Sequence, residues 1–436
     1  MLLRIKYLYE KLASSFWFLP SAILVINILL ALLFIYLDKR APIEPEGFLN
    51  LIFSKNPESG RNVLSIIAGS MAGIAGTVFS ITLVILQLAT SQLGPRLLKN
   101  FMYERINQVV LGQYIGLFLY CLIVINSVRD SDSYSFIPNL SIIAAIVFAI
   151  FNVFILIFYI HSVSVSIQPS KVIHQLGKNL KQKSDELYPD LNLDIEKTYL
   201  ENIKKQQYNS HVVNASKSGY IQFFDLEALM KYSEENNCII KVLEKPGAFI
   251  IKNQAIFEIL KEEKIATESS EIDKLHAYYQ VFRSKSIFQD TEFAIQQIVE
   301  IASRALSPGI NDPHTAIICI DQLTSSLNML AKSKTPKQYL TNDPNKIRLI
   351  IPSTNFKGFL RASFDEIRQF GAQTPSVIIR LMESIKKLIQ TSDSEKNKEI
   401  LKAYATLILE TGEKNFHLDS DISDLRIVYN RVKNCH

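Results

Sequence analysis

AGSMAGIAGTVFS, residues 68–80, holds three glycines, three alanines, two serines and a threonine inside a run without a single charged side chain. That run extends from Asn62 to Pro95. As one helix it would be roughly 50 Å long, against about 30 Å for the hydrocarbon core of a bilayer. It therefore tilts or projects beyond the bilayer, and Gly94-Pro95 stops it. Wound on a helix, Gly69, Gly73, Gly76, Ser80, Leu83, Gln87 and Thr90 recur at alternating spacings of four and three, so they share one face. Lipid tails are as apolar as leucine, so close backbone approach at small residues is what draws membrane helices together. Two uses of the stripe follow. In one, this helix is the centre of its own bundle and the glycines seat its neighbours. In the other, the stripe meets copies of itself around an axis, giving a narrow pore with a small-residue waist and a polar mouth at Gln87, Thr90, Ser91 and Gln92.

Working outward, three more spans flank this one. Leu12–Leu37 carries no charge and ends at Asp38-Lys39-Arg40. It is too long for the core of a cleaved leader and reads as an anchor. Ile106–Val128 is the third span, with a second small-residue pair at Gly112 and Gly116, and Ile137–His161 is the fourth. The predicted spans are thus about 13–37, 63–93, 107–128 and 137–161. Asn27 and Asn152 are intramembrane amides expected to join helices. No Asp, Glu, Lys or Arg lies within these spans, which argues against ion-coupled transport and leaves a passive pore or an anchor. Arg4, Lys6 and Lys11 precede the first span, and Arg96, Lys99 and Arg105 separate the second from the third. Together with the large charged half that follows, they predict both termini on the cytoplasmic side.

From Lys171 onward the chain has the composition of a soluble domain. The net charge of +5 is spread along the sequence, without a basic block to grip nucleic acid. Cys121, Cys238, Cys319 and Cys435 form no CxxC pair and no disulfide framework. Strands are predicted at 219–224, 238–243, 248–251, 255–260 and 346–351, with Asp225 capping a helix over 226–235. Helices are predicted at 356–370, 375–391, 396–412 and 420–433. The domain plan is a transmembrane part (1–165), a juxtamembrane helical connector (166–215), a small β-rich module (216–262) and a mainly helical cytoplasmic part (263–436). The fold class is a four-helix membrane domain followed by a cytoplasmic α+β domain.

The most distinctive soluble stretch is QDTEFAIQQIVEIASRALSPGINDPHTAIICIDQL, residues 289–323. Asp290 is set to cap one helix, Ser307-Pro308-Gly309-Ile310 to break it, and Asp312 with Pro313 to start the next. Capping and turn chemistry explain these residues. A rival reading gathers Asp290, Asn311 and Asp312 into an oxygen-rich site for a cation or polar ligand. The chain shows no GxSxG, phosphate-binding loop, GxGxxG or HExxH, so neither an enzyme nor a cofactor is expected.

Two strings, FSITLVILQLATSQLGPRLL (79–98) and QDTEFAIQQIVEIASRALSPGINDPHTA (289–316), resemble the bacterial membrane proteins of domain-of-unknown-function family 2254. The resemblance implies an integral membrane protein of bacterial type, hence of a bacterial inner membrane, and no particular activity. The expectation from the residues themselves is a homo-oligomer in the lipid bilayer forming a passive pore lined by the 62–95 helix, with no nucleic-acid partner. The alternative is a non-conducting, membrane-anchored sensor or scaffold whose cytoplasmic domain binds a ligand or partner.

Overall fold

A computed structural model describes residues 17–40, 56–94, 105–131, 134–166, 168–187, 208–262, 269–332, 339–340 and 347–435. The chain divides into two compact units, Met1–Gln168 and Pro169–His436.

In the first unit, α1 (Phe18–Arg40), α2 (Pro57–Leu93), α3 (Arg105–Ser127) and α4 (Asn139–Ser166) form a bundle, with a short hairpin of β1 (Arg129–Ser131) and β2 (Tyr134–Phe136) between the last two. All four helices are long and apolar enough to cross a membrane. Pro57 sits in the first turn of α2, Asn56 caps it, and Gly94 ends it at φ +104. The central helix is α3, not α2. Val110, Gly112, Tyr114, Gly116, Leu117, Tyr120, Cys121 and Val124 of α3 are all buried. Helix α2 packs against α3 and α4 through Leu64, Ala68, Met71, Ala75 and Val78. That set also follows the four–three rhythm, on the face away from the glycines.

The second unit starts with α5 (Pro169–Leu187), whose Ile173, Leu176 and Leu180 are buried. Helix α5 packs on helices α8 and α9 defined below, and Gly177 admits Gln322 so closely that a Cβ would overlap its amide. The β part follows as β3 (Asn209–Asn214), β4 (Gly219–Phe224), α6 (Leu226–Glu235), β5 (Ile239–Val242), β6 (Phe249–Ile250) and β7 (Ala255–Lys261). It continues past residue 262 with α7 (Ser269–Ala277) and β8 (Tyr279–Phe282). Two further strands, β9 (Tyr339–Leu340) and β10 (Leu349–Ile350), are contributed from farther along the chain. A five-stranded sheet of order β3-β7-β5-β10-β9 and a three-stranded sheet of order β6-β4-β8 share one core. Phe257 is its hub, with ring centroids 5.8 Å from Phe224 and 5.7 Å from Tyr279. The helices are α8 (Thr291–Ala305), α9 (Pro313–Lys332), α10 (Phe356–Phe370), α11 (Pro375–Thr391), α12 (Glu395–Asn415) and α13 (Asp419–Lys433). A bidentate pair ties α9 to α11: Arg380 Nε and Nη2 donate to Asp321 at 2.7 and 2.6 Å.

Candidate functional site

Gly69, Gly73 and Gly76 face away from the bundle. A Cβ added to any of them would meet nothing within 4 Å. Ser80 and Gln87 are exposed on the same face, and Thr90 is half-buried. The hydroxyls there are satisfied locally: Thr77 donates to the Gly73 carbonyl at 3.1 Å, Ser80 to Gly76 at 2.9 Å and Thr90 to Leu86 at 2.7 Å. Such back-bonding lets a polar residue stand in an apolar setting without an orphaned proton. Among the described residues, the stripe is therefore not the seat of the chain's own helices, as the first of the two readings had it.

The outward faces of the neighbouring helices are built differently. Helix α1 presents Val25, Ile26, Leu29, Leu32 and Leu33, and α4 presents Val147, Phe151, Phe154, Ile157 and Phe158, all exposed. These are bulky apolar surfaces suited to acyl chains. In α2 the corresponding surface between Gly69 and Ser80 is mostly backbone, methyl and hydroxyl.

The second glycine pair is filled from within. A Cβ on Gly112 would lie 2.8 Å from Pro20 Cα, and one on Gly116 would lie 2.6 Å from Asn27 Nδ2. Asn27 occupies that notch and donates to Ile23 O at 2.9 Å and Gln113 Oε1 at 3.3 Å. Asn152, also buried, points its Nδ2 at Met71 Sδ, 3.4 Å away. Both amides join helices as their positions predict.

Asp38, at the end of the first span, does more than stop it. It is 3% exposed, and its carboxylate accepts from Leu140 N at 2.9 Å, Ser141 N at 3.0 Å and Ser141 Oγ at 2.6 Å. The end of α1 thus caps the start of α4, and the negative charge meets the positive end of that helix.

In the second unit, Asp290 and Asp312 do cap helices. Asp290 accepts from Phe293 N at 2.9 Å, and Asp312 accepts from Thr315 N at 3.1 Å and Thr315 Oγ1 at 2.6 Å. The Thr315 hydroxyl, ahead of the Thr315 and His314 amides, holds the Asp312 carboxyl below the usual range, against a smaller opposing effect of burial. Asn311 takes φ +47 to complete the turn. The three do not form one site. Asp290 precedes α8 and the Asn311-Asp312 pair follows it, so a rod of roughly 22 Å separates them. Among the described residues, no three His, Cys, Asp or Glu side chains gather in a way that would hold a metal ion.

Asp290 instead meets a turn of the β part. Its carboxylate rests on Gly247, where a Cβ would overlap Oδ2. Beside it, Lys245 Nζ donates to Glu292 Oε1 at 2.5 Å and Thr354 Oγ1 at 3.2 Å, and Thr354 donates to the same Glu292 oxygen. Nothing in the sequence singles out Gly247 or Lys245, which lie between the strands predicted at 238–243 and 248–251.

The chain matches the family model described as predicted membrane protein (DUF2254) over residues 13–387, and it belongs to that family. It is similar to an uncharacterized protein of Mycobacterium tuberculosis, strain CDC 1551 / Oshkosh, at 24% identity over 97% of this chain and 80% of the relative. An uncharacterized protein of Mycobacterium bovis matches with the same identity and coverage. No solved structure matches.

Proposed function

We propose that this membrane protein is a homo-oligomer of the bacterial inner membrane, in which α2 helices meet through their small-residue faces and line a passive pore. Both termini are cytoplasmic in this reading, and the second unit is a regulatory domain with no catalytic role. The observation that carries it is the open glycine face of α2, beside bulky outward faces on α1 and α4. A surface of backbone and methyl groups packs poorly against acyl chains and well against another helix. Around an axis, Gly69, Gly73, Gly76 and Ser80 would form the waist and Gln87 and Thr90 a polar end. The absence of charged residues along the central part of the span favours passive conduction over ion-coupled transport.

Native mass spectrometry of the purified full chain, with ion flux in liposomes, tests this. The expected result is an oligomer that conducts, with Gly73→Leu dissociating the assembly and abolishing flux. A conductance untouched by Gly73→Leu and Ser80→Leu would remove α2 from the pore. A monomer in both detergent and native vesicles would favour an anchored, non-conducting sensor or scaffold.

A further inference from the structure

Asp290 is the one charged side chain of the second unit, among the described residues, that is buried to a few per cent of its surface: 6% remains exposed. It lies where the β part and the helices are fastened together. Gln289 exchanges two hydrogen bonds with the Phe224 backbone, at 2.9 and 3.0 Å, in the manner of a strand partner. Asp290 follows and presses on Gly247, whose φ of +85 and missing side chain make the room. Gly247 N–H itself donates to Ile221 O at 2.7 Å and is not spent on the carboxylate. The charged groups facing Asp290 are Lys245 from the turn, and Lys285 and Glu292 from its own segment. Lys245 is already committed to Glu292 and Thr354. Among the described residues, the buried carboxylate therefore has one close donor, the Phe293 amide, and no ion-pair partner of its own.

We propose that this joint is a proton-responsive latch: protonation of Asp290 tightens the hold of the 244–247 turn on the start of α8, and ionisation loosens it. Burying a carboxylate is costly unless it is fully paired, and burying the neutral acid is not. Burial pushes the Asp290 carboxyl above the usual aspartate range; the Phe293 amide, Lys285 and Lys245 oppose this, and Glu292 adds to it. An acid raised in the folded state stabilises most fully below its unfolded pKa. That contribution is lost as pH rises through the folded pKa. The latch is thus tightest in acid and weakest at neutral pH.

Hydrogen exchange on the full chain in detergent, corrected for intrinsic rates, reads the latch at the Gly247 amide, which donates to Ile221 O and not to the carboxylate. In the wild type, protection there should rise as pH falls from neutral to about 4, the ordinary aspartate range. Asp290→Asn keeps a capping oxygen and removes the titration, so its protection should be high and equal at both pH values. Gly247→Ala forces the turn off the carboxylate and should leave it open at both pH values. A wild type without pH response, an Asp290→Asn variant less protected than wild type at neutral pH, or a Gly247→Ala variant with the full response would each overturn the proposal.

Discussion

Two helices of the membrane unit carry glycines four residues apart, and their surroundings are opposite. On α3, Gly112 and Gly116 are pressed by Pro20 and Asn27 of α1. On α2, Gly69 and Gly73 have open space where a side chain would be. The spacing is the same because the requirement is the same: one helix face with its backbone bare. What differs is whether the chain supplies the partner. A small-xxx-small pair states that something approaches closely, and only the tertiary structure says whether that something lies within the same chain.

The largest effect should come from the filled notch. Gly116→Leu inserts a side chain where Asn27 already sits, and α1 cannot withdraw without exposing Ala31 and Ile35, which are buried with the bundle. Overpacking of this kind costs about 3 kcal/mol, and the variant should lose its cooperative thermal transition in detergent. The same change at Gly73 should leave that transition in place. If both variants unfold alike, the contrast between the two helices is false.

An intermediate effect is expected at Asp38. Asp38→Ala strands the half-buried Leu140 amide and the buried Ser141 amide and hydroxyl at the start of α4, at a cost of about 2 kcal/mol. Asp38→Asn keeps an acceptor and gives up the charge–dipole attraction, a loss of about 1 kcal/mol. Thermal unfolding of the two variants ranks them. An alanine variant as stable as wild type would mean that α1 and α4 are held by apolar contact alone.

What the sequence made legible follows the range of the interactions. Helices over 356–370 and 375–391 coincide with the structure because each is fixed locally, by a cap at Asn355, a stop at Gly371 and a proline at 375. Strand β3 escaped because NSHVVN alternates poorly and is mostly exposed; it is a strand only through pairing with β7, from Asn209↔Lys261 onward. Asp38 and Ser141 are 103 residues apart, so no local pattern joins them. The same holds for Asp290 on Gly247. The supposed cluster of Asp290, Asn311 and Asp312 erred in the other direction. The three are near in sequence, but the rigid helix α8, itself legible, holds Asp290 apart from the other two.

The smallest and most discriminating change is Gly76→Ala, because its sign depends on what covers the stripe. In the separated chain the added methyl meets nothing within 4 Å. Replacing a helical glycine then stabilises the helix by about 0.5–1 kcal/mol through reduced backbone freedom. In an assembly that brings a second backbone against this face, the same methyl holds two helices apart and weakens association. The expected outcome is a slightly higher unfolding temperature under conditions that disperse the chain, together with a lower oligomer fraction at a given protein-to-lipid ratio. Were α2 to face lipid, only the first effect would be seen. A rise in stability with the oligomer fraction unchanged would therefore assign the bare face to acyl chains, and the distinction drawn between the two glycine pairs would reduce to one between packed and unpacked surface.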